Sequence, residues 1–87
     1  MRSGLKKFGD LMVDETILLD PEYLDAAIVG VRDHRAMYDY SLLVQAYQEN
    51  EDWTYEDAVE WIEYNTIRAL PYMGRFAPLV LEVEDVD

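Results

Sequence analysis

The sequence predicts an α+β fold: a small antiparallel sheet of three strands, or four if one further strand pairs, with two helices packed on one face. Three observations support this fold. Two apolar runs separated by four polar residues are typical of a β-hairpin. Two segments with helical spacing of apolar residues follow, each after a residue that favours an N-cap. An alternating apolar stretch near the C-terminus predicts a final strand, so the order is β-β-α-α-β after a short N-terminal segment.

The beginning of the chain divides into an arm and the start of one folded domain. We expect a mobile N-terminal arm over residues 1–10, which hold three of the seven basic residues, and a single domain over residues 11–87. Residues 16–19 form a short apolar run that fits an edge strand or a buried extended segment. Asp20 and Pro21 are typical of a helix start, with Asp as the N-cap and Pro at the first helical position. The helix they open must be short.

The predicted hairpin follows this short helix. Residues 26–31 are nearly all apolar and predict a central strand. Polar residues 32–35 interrupt the pattern, and residues 36–40 resume it as a second strand. Asp39 or Ser41 then caps the first of the two main helices.

The second main helix is predicted to be the longest element. Thr54 is a suitable N-cap, because its hydroxyl accepts hydrogen bonds from backbone N–H groups of the first turn. Glu56 and Asp57 lie in that turn, where the helix dipole favours carboxylates. One face of the helix is predicted to be buried, with Asn65 at its edge. At about 100° per residue this face comprises Tyr55, Ala58, Val59, Ile62, Thr66 and Ala69.

Pro71 ends this helix, since proline cannot continue it and pushes the preceding residue out of the helical region. Gly74 favours a turn, and residues 78–84 then alternate as a half-buried strand does. Asn65 and Arg68 are expected to tie the end of the helix to this turn, because the last carbonyl groups of a helix need donors; the alternative is that they belong to a binding site.

The composition indicates a folded, strongly acidic domain. Among 87 residues, 51% are hydrophobic, and nineteen acids against seven bases give a net charge of −12. A net charge of magnitude ~2–8 suffices to keep a small domain soluble. The larger charge repels nucleic acid and anionic membranes and attracts basic surfaces. We therefore expect no direct contact with nucleic acid or membrane. No apolar run is long enough to span a bilayer and no signal-peptide pattern follows the basic start, so we expect a cytoplasmic location (the host cytoplasm if a phage encodes the chain). The expected state is a monomer or weak homodimer.

Catalytic and cofactor chemistry is not expected. The chain has no cysteine and one histidine, His34, which lies in the predicted hairpin turn. A zinc site needs several Cys or His ligands, and one histidine cannot form a nucleophile–base–acid set with identifiable partners. The sequence therefore predicts no catalytic residue, no metal site and no cofactor.

Carboxylates are concentrated between Arg35 and Arg68, a window without any base. Glu56, Glu60 and Glu63 are spaced i, i+4, i+7 on one helix face, and side chains at i, i+4 lie ~5–6 Å apart. That distance is close to the separation of successive phosphates, whose axial step is ~3.4 Å along one strand. A solvated helix face is the alternative interpretation. The residues predicted to bind a partner are the acids of this window, with two aromatic side chains that fall outside the core face: Glu49, Glu51, Asp52, Glu56, Asp57, Glu60, Glu63, Trp61 and Tyr64.

Parts of the sequence resemble a known group of proteins. The segment EYNTIRALPYMG, the AP dipeptide after it, and the upstream AAIVGV and YDY resemble small uncharacterised proteins encoded by bacteria and their phages or mobile elements. In size and acidity the chain also resembles phage anti-CRISPR proteins that act as DNA mimics, particularly those directed at type I Cascade complexes. This second resemblance implies a basic nucleic-acid-binding protein or complex as the partner.

The expected function is therefore that of a non-enzymatic inhibitor of anti-CRISPR type. It would mimic nucleic-acid phosphates and block a basic DNA-binding surface of a host defence complex, such as a type I CRISPR surveillance complex. The alternative is a small protein–protein interaction module, antitoxin-like or a regulatory subunit, that docks through apolar and aromatic surface.

Overall fold

A computed structural model describes residues 8–82 of the chain. It confirms the α+β class and the order β-β-α-α-β. The strands are β1 (Ile28–Arg32), β2 (Arg35–Asp39) and β3 (Leu79–Leu81). The main helices are α1 (Tyr40–Glu51) and α2 (Tyr55–Trp61), and a π-helix (Ile62–Ile67) continues α2. Residues 8–82 also contain three short 3-10 helices: Gly9–Leu11, Glu22–Ala27 and Leu70–Tyr72.

A tight turn joins β1 and β2 into the predicted hairpin. Asp33 and His34 form the turn with φ values of 53° and 63°. Two central residues with positive φ make the type I′ geometry, whose twist matches that of the paired strands. The turn therefore takes two residues and not four, and Arg32 and Arg35 pair across the strand ends. The Thr16 hydroxyl donates a 2.7 Å hydrogen bond to the carbonyl of His34, which attaches the N-terminal segment to the turn.

The sheet is mixed, so the predicted antiparallel arrangement is wrong. β2 pairs antiparallel with β1 but parallel with β3, and the strand order is β1-β2-β3. Both main helices lie in the connection from β2 to β3, and such a crossover returns the chain to the sheet in the same direction. The alternating pattern of the last strand carried no information about its direction, and Leu79–Leu81 are all half-buried without the predicted alternation.

The predicted central position of the first strand is also wrong. β2 lies in the middle of the sheet, and β1 is an edge strand whose Val29 is 46% exposed. No fourth strand forms within residues 8–82. Residues 16–19 are instead the buried extended segment: the Ile17 amide donates to the Phe76 carbonyl, and Leu19 is buried.

The predicted caps of the two main helices are confirmed. The Asp39 carboxylate accepts from the Leu42 amide at 3.0 Å, and the Thr54 hydroxyl accepts from the Asp57 amide at 3.2 Å. The cap predicted at Asp20 is wrong. The Asp20–Pro21 bond is cis, and Pro21 occupies the cap position of the 3-10 helix Glu22–Ala27 without a side-chain hydrogen bond.

The core lies between the sheet and the helices. Tyr38 of the central strand is completely buried, and its hydroxyl accepts a 2.9 Å hydrogen bond from the Leu19 amide. From the second helix, Ala58, Ile62 and Thr66 are buried as predicted. Tyr55, which was also predicted on this face, is exposed instead: it is the first residue of α2, and its side chain is 62% exposed.

The end of the chain follows the predicted stop and turn. The helical stretch ends at Ile67, the 3-10 helix Leu70–Tyr72 contains Pro71, and Gly74 has φ 82°. Within the described residues the last strand spans only Leu79–Leu81, and residues 83–84 of the predicted strand lie outside them. The first seven residues of the predicted arm also lie outside the described part.

Candidate functional site

A cleft opens on the exposed side of α2 and the π-helix. Its volume is about 350 Å³, which is at the small end of the range for small-molecule sites. Aromatic rings and two carboxylates form its walls: it is lined by Trp53, Asp57, Glu60, Trp61, Tyr64 and Asn65. We call this feature the acidic aromatic cleft. It combines four of the predicted partner-binding residues, Asp57, Glu60, Trp61 and Tyr64.

A row of four stacked or edge-packed rings holds one wall of the cleft in place. The rings of Tyr23 and Tyr47 pack edge to face at 5.9 Å, and Tyr47 stacks on Trp53 at 5.4 Å. Trp53 packs against Trp61 at 5.4 Å in turn. Aromatic pairs at these distances stabilise beyond their buried area. The two indoles are therefore fixed to the core through Tyr47, while Trp61 remains 45% exposed.

Tyr47, the ring that anchors this row, is buried. Burial raises the pKa of the Tyr47 hydroxyl, and hydrogen bonds with the Trp61 and Thr66 side chains partly oppose the rise.

The π-helix places the remaining lining residues. In a π-helix the hydrogen bonds run from i to i+5, a form that is found frequently at functional sites. The Asn65 amide donates a 3.1 Å hydrogen bond to the carbonyl of Trp61 four residues earlier. The Arg68 guanidinium lies 4.7 Å from the centre of the Tyr64 ring. The predicted link from Asn65 and Arg68 to the following turn is therefore absent, because both side chains make contacts within their own helix.

All seven candidate carboxylates are exposed. None of them forms an ion pair with a described lysine or arginine. The structure does not place them in one straight row, however. Asp57 and Glu60 line the acidic aromatic cleft, whereas the other five do not.

Glu51 lies on the opposite side of the same two indoles. It borders a second cleft of about 200 Å³ that shares Trp53 and Trp61 with the first. The Tyr23 hydroxyl donates a 2.8 Å hydrogen bond to Glu51. The pKa of Tyr23 is raised mainly by burial, and further by this hydrogen bond and by the charge of Glu51.

Glu63 is directed towards the start of α1. The Tyr40 hydroxyl donates a 2.9 Å hydrogen bond to it. The pKa of Tyr40 is raised mainly by burial, then by the hydrogen bond and charge of Glu63, with a further contribution from the charge of Glu82. Glu82, the first of four acids among the last six residues of the sequence, therefore also acts on Tyr40.

The last three acids take separate positions. Glu49 accepts a 2.9 Å hydrogen bond from Gln45 and borders a small groove between α1 and the 3-10 helix Glu22–Ala27. Asp52 is the left-handed C-cap of α1, with φ 57°. Glu56 is exposed in the first turn of α2.

Sequence reasoning missed two residues of the cleft, Trp53 and Asn65. Trp53 precedes the Thr54 cap and lies in the loop between the helices, where the 3.6-residue period gives no direction for its side chain. Asn65 was predicted at the edge of the core face, and it is exposed because the π-helix changes the angle between successive residues. No pattern of residue types in this segment indicates a π-helix.

The chemistry available in the cleft is that of binding a cation. Carboxylates attract positive charge, and the face of an indole ring does so as well.

Among residues 8–82, no group of three His, Cys, Asp or Glu side chains is arranged to hold a metal ion. None of the helices in this same range is long and apolar enough to cross a membrane. Comparisons with protein-family models, with curated proteins and with solved structures gave no match.

Proposed function

We propose that this protein is a non-enzymatic inhibitor that places its carboxylates against a basic nucleic-acid-binding surface and so blocks it. The observation that supports this proposal is the exposure of all seven candidate acids without an ion pair to a described base. An excess of exposed charge of one sign attracts surfaces of the opposite sign. Here a net charge of −12 is left for an external partner to neutralise.

The spacing on α2 favours a surface that normally binds phosphates. Glu56 and Glu60 are four residues apart, which places their side chains ~5–6 Å from each other. Lysine and arginine residues that neutralise phosphates along a strand would meet carboxylates at a similar separation. Because the same Coulomb forces act, binding of the protein should share the steep salt dependence of nucleic-acid binding.

The proposed partner is a basic nucleic-acid-binding complex of a host defence system, and the site of action is the cytoplasm. A type I CRISPR surveillance complex is the candidate that the resemblance to anti-CRISPR proteins implies. A chain of this charge is attracted to such a groove from a distance, which raises the association rate.

One observation favours a second candidate, a protein–protein interaction module. Trp61 is 45% and Tyr64 is 58% exposed beside the cleft, and large aromatic residues are enriched among those that dominate binding energy. A module of this kind would bind through the rings, with its acidity serving solubility. Unlike the inhibitor, it predicts binding that does not weaken as the salt concentration rises.

A capture experiment with two matched triple variants distinguishes the candidates. The test variant carries Glu56→Lys, Glu60→Lys and Glu63→Lys, and the control carries Asp10→Lys, Asp14→Lys and Glu15→Lys, all exposed positions. Each variant changes the net charge from −12 by +6, to −6, so any difference between them reports position and not total charge. We expect wild type and control to capture a nucleic-acid-binding protein from host lysate, and duplex DNA to displace it. Retention by the test variant at high salt would contradict the proposal.

A further inference from the structure

We propose that the acidic aromatic cleft binds one arginine side chain of the protein partner. This inference rests on the proposed function, because it assumes a basic partner, and it adds the group that the cleft recognises. In this cleft, exposed indole surface and two carboxylates of the acidic window line the same volume.

The walls of the cleft are held in position before any ligand binds. Trp53 is stacked on Tyr47 at an angle of 12° between the ring planes, and Trp61 packs on Trp53 at 53°. A site whose rings are already fixed loses little conformational entropy on binding, which favours affinity.

Charge and shape together favour a guanidinium group over other occupants. A guanidinium is planar, stacks on aromatic faces and donates paired hydrogen bonds to carboxylates, whereas an ammonium is a compact, strongly hydrated point charge. Asp57 and Glu60 are one helical turn apart and supply carboxylates at the wall. An apolar side chain would bury these carboxylates without compensation. A second copy of this chain also carries a net charge of −12, so the two copies would repel each other.

The protein already contains one pairing of this kind beside the cleft. The Arg68 guanidinium lies over the Tyr64 ring at 4.7 Å, although Arg68 does not line the cleft. Arg68 is exposed, so this stacking occurs without burial of the charge. A partner's arginine would bind in the same manner on the indole surface, with the two carboxylates as additional acceptors.

Two peptides of equal charge test the inference directly. Nonaarginine and nonalysine are titrated into the full-length protein at low salt while NMR records the two tryptophan indole N–H signals. We expect nonaarginine to bind about two- to fivefold more tightly than nonalysine, the ratio that a cation–π contact at an exposed site gives. We also expect nonaarginine to shift both indole signals.

Variants locate the preference within the cleft. Trp61→Ala should bring the arginine-to-lysine ratio close to one, whereas Tyr72→Ala, which removes an 89% exposed ring elsewhere, should leave it unchanged. The isosteric pair Asp57→Asn and Glu60→Gln should lower the ratio as well. Its control, Asp14→Asn with Glu15→Gln, removes the same charge outside the cleft. Circular dichroism confirms folding, and the isosteric pair decides the question if Trp61→Ala fails to fold.

The outcomes separate this inference from the proposed function. Equal binding of the two peptides, or indole signals that do not move, would overturn the arginine site and leave the acidic inhibitor intact. If neither peptide binds at low salt, the proposed function fails together with it.

Discussion

Glu60 lies at the centre of the acidic helix face, and replacing it with glutamine should make the fold more stable while weakening partner binding. Glu56 precedes it by four residues and Asp57 by three, so both carboxylates are its neighbours on α2. Like charges at these spacings destabilise a helix. No described lysine or arginine pairs with Glu60 to offset this repulsion.

The size of the effect follows from the number of like-charged neighbours. Each such pair costs ~0.2–0.5 kcal/mol, so removing two pairs should raise the free energy of unfolding by ~0.4–1 kcal/mol at low salt. Glu63 also follows three residues later, but it lies in the π-helix and is directed towards Tyr40, and we do not count it. Glutamine keeps the length and helix propensity of glutamate, so charge is the main change.

Urea unfolding monitored by tryptophan fluorescence measures this difference in the free energy of unfolding, because Trp61 is the last residue of α2 and Trp53 packs against it. Glu15→Gln is the matched control: it removes one exposed charge from a turn outside the helices. The gain for Glu60→Gln should exceed that of the control at low salt and disappear at high salt, where surface charges are screened. Capture of the partner should be weakened by the same substitution.

Two results would refute this reasoning. A loss of stability for Glu60→Gln would mean that its carboxylate makes a favourable contact. A gain that persists at high salt would mean that repulsion between neighbouring carboxylates is not its cause.

Three further predictions concern the scaffold. Thr54→Ala removes the cap of α2 and should cost ~1 kcal/mol of unfolding free energy in urea titrations, with Thr54→Ser close to wild type. Ile62→Ala leaves a cavity in the core and should cost ~2–5 kcal/mol, and an unchanged midpoint would contradict the burial of Ile62. The pKa values of Tyr23 and Tyr40 are raised in the folded protein, so the stability that their protonated forms contribute is present below pH ~10 and lost as the pH rises through the folded values. Absorbance in an alkaline titration should show these two tyrosines ionising at a higher pH than a free tyrosine. Tyr40→Phe should remove one of these high-pH transitions.

Local signals in the sequence predicted local structure well. Thr54 and Asp39 cap their helices, Gly74 takes the positive φ of the turn, and the hairpin forms where polar residues interrupt two apolar runs. Each of these features depends on a few neighbouring residues and their backbone hydrogen bonds. The direction of β3 depends on the path of the whole crossover, so the sequence pattern did not reveal it.

The candidate site was predicted only in part for a related reason. The 3.6-residue period placed Trp61 and Tyr64 outside the core, and both are exposed. It also predicted one row through Glu63, but the π-helix and the hydrogen bond from Tyr40 direct that residue elsewhere. Trp53 lines the cleft because it stacks on Tyr47, and a pattern along one element cannot show such a contact between elements.

The central claim is that carboxylates of this protein occupy the place of phosphates on a basic surface. The most direct test measures the affinity of a captured partner for duplex DNA at increasing concentrations of this protein and at several salt concentrations. We predict that the apparent dissociation constant for DNA rises linearly with protein concentration, as competition for one surface requires. We also predict that binding of the protein weakens with salt nearly as steeply as binding of DNA. A partner that binds DNA and this protein at the same time, with unchanged affinity for each, would contradict the account.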